Sequence, residues 1–252
     1  MSAFHEIAGY RVAQAATVLF APLLMIQGKV VRHHIPQLTE AAGERHGRIQ
    51  GSGDDSVSFA VIGESTAVGV GVDRQSEGLA GQLANQLANI SDLNVTWQVS
   101  GRSGATIQMV LDTYLSPLTF PVDLAIVVTG VNDVLRFTSE SKWRAGILAI
   151  KTELLRRGAK HVVFTAPPPI GSFPALPQPL RFVLGARARR LDTLAAGLLS
   201  QTTGSSYATS SIPPIGQYFA RDGFHPSKEG YHMWAQQIAA HLAKFLPTRQ
   251  SS

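Results

Sequence analysis

Ser65 stands in Gly63-Glu64-Ser65-Thr66, directly after the apolar run 57–62. A serine hydroxyl is a poor nucleophile until a neighbouring base takes its proton. The candidate base is His225, in Arg221-Asp222-Gly223-Phe224-His225-Pro226. Asp222 precedes it by three positions across a Gly-containing turn, so its carboxylate can reach the imidazole, fix the tautomer and stabilise the imidazolium. The chain has 8 histidines, and most must be bystanders. His33, His34, His161 and His241 lack this setting, and His232 belongs to no His-Glu-x-x-His zinc pattern.

Two further stretches offer groups for a developing negative charge. In Gly101-Arg102-Ser103-Gly104-Ala105-Thr106 a bare glycine lets a backbone N–H approach a ligand. In Gly130-Val131-Asn132-Asp133 a side-chain amide at a strand end can donate to an oxyanion. Each stretch also has a plainer reading: a capping serine, a tight turn, an Asn-Asp turn leading into a helix. Gly69-Val70-Gly71 raises a dinucleotide loop, but Arg74 stands where the third glycine is needed. There is no Gly-Lys-Ser/Thr of a phosphate loop either.

The elements that must carry these loops are legible as apolar runs. VSFAVI (57–62), VTWQV (95–99), LAIVVT (124–129) and HVVFTA (161–166) read as buried strands, with a weaker one at 205–209. Between them, 79–90, 143–155 and 181–200 have helical periodicity. In the last helix Ser227 can cap a stripe of Tyr231, Trp234, Ala235, Ile238, Ala239 and Leu242. Alternating strands and helices imply a parallel sheet covered on both faces. Ligands of such sheets bind at the carboxyl ends of the strands, which is where a Ser, a Gly, an Asn and an Asp/His pair are brought together.

In the order and spacing of these blocks, residues 57–245 resemble the SGNH hydrolases, the GDSL esterase/lipase family. Gly-x-Asn-Asp (130–133) and Asp-Gly-x-His-Pro-x-x-x-Gly (222–230) are the most specific matches. The resemblance implies a flavodoxin-like three-layer α/β/α sandwich with a parallel sheet of about five strands. It makes Ser65 the nucleophile, Asp222 and His225 its partners, and Ser65, Gly104 and Asn132 the oxyanion hole. Gly101 is the alternative second-block glycine, but Ser-Gly-x-Thr (103–106) is the better match. It also implies hydrolysis of carboxylic esters without metal; no cofactor is expected, and since the sequence shows no long apolar lid, the expected substrates are short-chain esters. The family usually reads Gly-Asp-Ser-Leu, whereas this chain has Gly-Glu-Ser-Thr, so Glu64 brings one extra methylene to the nucleophile loop. Glu64, Asp133, Phe173 and Leu176 are expected to line the substrate site, the last two from the Pro-rich loop 167–179. A lysophospholipase, thioesterase or carbohydrate deacetylase on this scaffold is the alternative, and a non-catalytic binding protein the lesser one. The Gly-x-Ser-x-Gly elbow of α/β-hydrolases is absent, since Ala67 takes its last place.

Composition excludes other classes. Apolar residues make up 44% and charged residues 15%, which suits a packed domain rather than a disordered chain. No cysteine is present, so thiol catalysis and cysteine-bound zinc are ruled out. The net charge of +5 is mostly scattered, and its densest cluster, Arg181, Arg187, Arg189 and Arg190, reads as a solvated helix face rather than a nucleic-acid site. Residues 1–50 lie outside the resemblance, with a Gly/Ser/charge-rich linker at 43–56 leading into a hydrolase domain at 51–252. The apolar run 15–26 is too short to span a bilayer comfortably. It must find cover on the domain, in a second copy of the chain or as a peripheral contact on a membrane surface, which favours a cytoplasmic or membrane-peripheral location over a secreted one.

Overall fold

The computed structural model describes residues 10, 12–13, 15–173, 175–209 and 212–246. A six-stranded sheet runs in the order β1-β3-β2-β4-β5-β6. Its strands are β1 (His46–Ile49), β2 (Ser56–Gly63), β3 (Asn94–Gly101), β4 (Val122–Val128), β5 (Ala159–Thr165) and β6 (Ser205–Ala208). All neighbours pair in parallel except β1, which runs antiparallel along β3. The five parallel strands are those read from the apolar runs. β1 is a correction, because residues 46–49 were read as linker and instead extend the sheet.

The principal helices are α1 (Ala21–His34), α2 (Leu79–Ser91), α3 (Val131–Leu135), α4 (Glu140–Arg156), α5 (Leu180–Leu199) and α6 (Lys228–Leu242). Strand alternation splits the core into two layers. Phe59 and Val61 of β2 join Leu83, Leu87, Tyr231, Trp234 and Ile238 of α2 and α6. Ala60 and Ile62 face the other way, toward Trp143, Ile147, Val183 and Leu184 of α4 and α5. Both faces are covered, as the continuous apolar strands require. Ser227 does cap α6, accepting from the Gly230 N–H at 3.1 Å.

The arginine cluster on α5 is less solvated than its sequence suggests. Arg187 donates to the Thr138 carbonyl and stacks over the Phe137 ring, and Arg190 forms a two-pronged pair with Glu140 at 2.7 and 3.0 Å. Those two side chains tie α5 to the start of α4.

Candidate active site

At the carboxyl end of β2 the backbone must turn within a crowded space. A Cβ on Gly63, whose φ is +154°, would lie 1.8 Å from the Val128 carbonyl oxygen of β4. Only glycine fits so close an approach. The turn after it presents Ser65, which is 8% exposed. Its Oγ lies 3.0 Å from His225 Nε2. On the other side of the ring, Nδ1 donates to Asp222 Oδ2 at 2.6 Å.

The Asp222–His225 turn holds itself in shape. Asp222 Oδ1 accepts the backbone N–H groups of Phe224 and His225 at 2.9 and 3.0 Å. Burial alone would raise the Asp222 pKa, but these bonds and the imidazole outweigh it and hold the carboxyl below its ordinary value. An ionised carboxylate behind the ring is what a histidine needs when it takes up a proton. Gly71 completes the seat, since a Cβ there would meet the Pro226 carbonyl at 2.3 Å and the His225 Cβ at 3.2 Å. Next to it, the Tyr231 hydroxyl donates to the Val70 carbonyl at 2.7 Å. The sequence showed Gly69-Val70-Gly71 only as a failed nucleotide loop. Its glycine spacing after Ser65 was the available signal for this second role.

The second carboxylate of the site belongs to Glu64. Its Oε1 accepts the Val131 N–H at 3.1 Å, and its Oε2 accepts the Asn132 N–H at 3.0 Å and Asn132 Nδ2 at 2.7 Å. One amide hydrogen of Asn132 is thus committed, and among the described residues the other has no partner. Glu64 is 2% exposed, and desolvation raises its pKa from 4.5 to about 7 despite these donors. Asp133, fully buried, holds the next loop: Oδ2 accepts the Ile107 N–H at 2.9 Å and Oδ1 the Thr138 hydroxyl at 2.8 Å. Desolvation raises its pKa too. Through Ile107 it fixes the turn that carries Gly104, where φ is +85° and Arg136 donates to the carbonyl at 3.3 Å. Among the described residues the Ser65 and Gly104 N–H groups have no hydrogen-bond partner.

The expectation that Glu64, Asp133, Phe173 and Leu176 contact substrate is corrected by their burial. Both carboxylates are consumed by protein donors. Phe173 and Leu176 are interior, and the Phe173 ring packs edge-on against Phe219 and Phe224. These four residues hold the site from behind. Next along the chain from Ser65, Thr66 helps line a small apolar hollow with Pro168, Pro169, Phe219, Phe224, Pro226 and Trp234. A wider groove of about 670 Å³ lies between residues 111–116 and α4, with no lining residue next in sequence to Ser65, Asp222 or His225. Among the described residues no three His, Cys, Asp or Glu side chains are grouped to hold a metal ion.

Comparison with known proteins gives the family and the fold. Residues 61–233 match the GDSL-like lipase/acylhydrolase family. A GDSL-like esterase of Mycobacterium tuberculosis is 28% identical over 192 residues, which cover 72% of this chain and 60% of that protein. The chain therefore spans about 60% of the length of that relative. Among solved structures, a lipase/acylhydrolase of Enterococcus faecalis superposes with a TM-score of 0.60 at 18% identity, covering 77% of this chain and all (100%) of that one. A carbohydrate acetylesterase of Sinorhizobium meliloti gives 0.57 at 18% identity, covering 76% and 100%. These likenesses establish a shared fold, and the match over most of the chain establishes descent. The chain belongs to the GDSL-like lipase/acylhydrolase family.

Proposed function

We propose that this protein is a serine esterase acting on short-chain carboxylic esters through an acyl-enzyme. The observation that carries this reading is the unbroken line Asp222–His225–Ser65, with contacts of 2.6 and 3.0 Å. His225 Nε2 takes the Ser65 proton as Oγ attacks the ester carbonyl. The resulting oxyanion faces the N–H groups of Ser65 and Gly104 and the free amide hydrogen of Asn132. As the carbon–oxygen bond to the alcohol breaks, His225 returns the proton to the leaving oxygen. A water molecule then repeats the sequence on the acyl-enzyme and restores Ser65.

The small hollow lined by Thr66, the residue after Ser65, supports a short acyl group, because Pro168, Pro169, Phe219 and Phe224 leave little room for a long chain. The same hollow fits an acetyl group on any alcohol, so an acetylated sugar is the second reading. A panel of p-nitrophenyl esters from acetate to palmitate tests the first. Turnover should be greatest at two to four carbons, and a maximum at long chains would overturn it in favour of a lipase. Labelling by a fluorophosphonate should occur at Ser65 and vanish in Ser65→Ala. An unlabelled wild-type protein would return the chain to a binding role.

A further inference from the structure

The apolar N-terminal segment docks by one face and leaves the other open. Helical hydrogen bonds from Phe20 N to Ala16 O and from Leu24 N to Phe20 O carry residues 15–19 into α1. Leu24 is 7% exposed and joins the core, with Val31 packed alongside. Gln27, on the same face, donates to the Gln178 carbonyl at 2.7 Å and accepts the Leu180 N–H at 3.1 Å. Leu19, Leu23, Ile26 and Val30 follow the spacing i, i+4, i+7, i+11 and so share the outer face. They are 74, 42, 60 and 50% exposed. Met25 is exposed beside them. At the carboxyl end of this stripe stand Lys29, Arg32, His33 and His34, all exposed. Among the described residues neither Lys29 nor Arg32 has an ion-pair partner.

We propose that α1 lies in the surface of an anionic bilayer, with Leu19, Leu23, Ile26 and Val30 among the acyl chains and Lys29 and Arg32 on the headgroups. An apolar stripe flanked by unpaired cations is the pattern of a helix resting in the interface plane. No helix among the described residues is long and apolar enough to cross a membrane. A second copy fits the stripe less well. A helix of 14 residues is about 21 Å long, and a face about 10 Å wide offers about 200 Å², against about 800 Å² per partner in a stable dimer. Gln27 grips the end of the Pro-rich loop, and Phe173 of that loop packs on Phe224 beside His225. The lipid-facing helix thus sits one loop away from the triad.

Full-length protein should co-sediment with vesicles of phosphatidylcholine and phosphatidylglycerol, and far less with phosphatidylcholine alone or in 0.5 M salt. Leu23→Glu/Ile26→Glu should weaken partitioning by about 100-fold, from the loss of two aliphatic side chains. Lys29→Glu/Arg32→Glu should weaken it by about 25-fold or more, at roughly fivefold per cation. Both variants should hydrolyse p-nitrophenyl acetate like the wild type, which shows that they fold. Wild-type protein that stays in the supernatant overturns the proposal, as does binding that neither variant reduces. A stable dimer in light scattering that Leu23→Glu/Ile26→Glu dissociates overturns it in favour of a second copy.

Discussion

Ser65 and Ser206 each sit beside a histidine nitrogen. Ser65 Oγ is 3.0 Å from His225 Nε2, while Ser206 Oγ is 2.9 Å from His241 Nε2 and 3.0 Å from His161 Nε2. By distance alone Ser206 is the better served. The surroundings differ. Behind His225 lies a buried carboxylate, Asp222. Around His161 and His241 lie Lys244 and the Phe245 ring, stacked 3.9 Å from His161. Burial first, then positive neighbours (each other for His161, Lys244 for both), lower the proton affinity of these two rings. An imidazole in that setting resists the charge it would acquire from a serine. Ser206 also lies within β6, paired with Val163, whereas Ser65 stands past a strand end, where its own N–H has no hydrogen-bond partner among the described residues. On the proposed mechanism, what sets Ser65 apart is the group that stabilises charge after the proton moves, rather than contact with a base.

That contrast can be broken from either side. The largest effect should come from Ser65→Ala, which should lower kcat/KM for p-nitrophenyl acetate by about 10⁴-fold or more with the fold intact. Substantial residual turnover would point to another nucleophile, Ser206 included. Asp222→Asn should follow at about 10³–10⁴-fold in kcat, because the amide no longer balances the imidazolium. If the loss is only a few-fold, the carboxylate is not what separates the two serines. Asn132→Ala should cost about 10²–10³-fold in kcat with little change in KM, and a change confined to KM would remove it from the oxyanion hole. At the small end, Ser206→Ala should leave the rate unchanged.

Glu64 sharpens the same comparison through stability. Its pKa is 4.5 in the unfolded chain and about 7 when folded. Between those values the folded state keeps a proton that the unfolded chain has lost, so stability falls as pH rises through this window. Asp133, also raised by burial, adds the same sign. Asp222 acts oppositely, losing its contribution as pH drops below the ordinary aspartate range. Denaturant midpoints measured from pH 4 to pH 8 should therefore decline toward neutrality, and Glu64→Gln should flatten that decline. An unchanged slope in the variant would mean that Glu64 is ionised throughout. The variant should also lose about 1–3 kcal/mol at low pH, because its NH₂ meets a backbone donor where an oxygen stood.

The residues proposed to react were legible because short blocks at strand ends encode them: Ser65, Asn132, Asp222 and His225 need only one strand or turn each to be placed. Five strands were legible for the same reason, as continuous apolar runs. What escaped depends on contacts between loops distant in sequence. Glu64 and Asp133 look like polar groups at the mouth of a crevice, and only the packing of α3 against the nucleophile turn sends them inward. Phe173 and Leu176 read as a wall because a Pro-rich loop is expected at the surface, yet Phe219 and Phe224 pack on Phe173, and Leu176 is buried. β1 escaped because His46-Gly47-Arg48-Ile49 has no apolar run to announce it, and pairing on one side only leaves it half exposed.

That edge strand bears on how the chain can be cut. β1 occupies the outer hydrogen-bonding groups of β3 from Val95 to Gln98, and Gly47 lies flat on the Trp97 ring, where a Cβ would come within 2.7 Å. An uncovered strand edge is a template for pairing with other chains. Trimming the protein at residue 51 would keep every reacting group and still strip the cover from β3. The shortened enzyme would then self-associate through its sheet, whereas a cut at residue 43 would keep the edge closed. A cut that spares His46–Ile49 should therefore leave a less aggregation-prone protein than one that removes them.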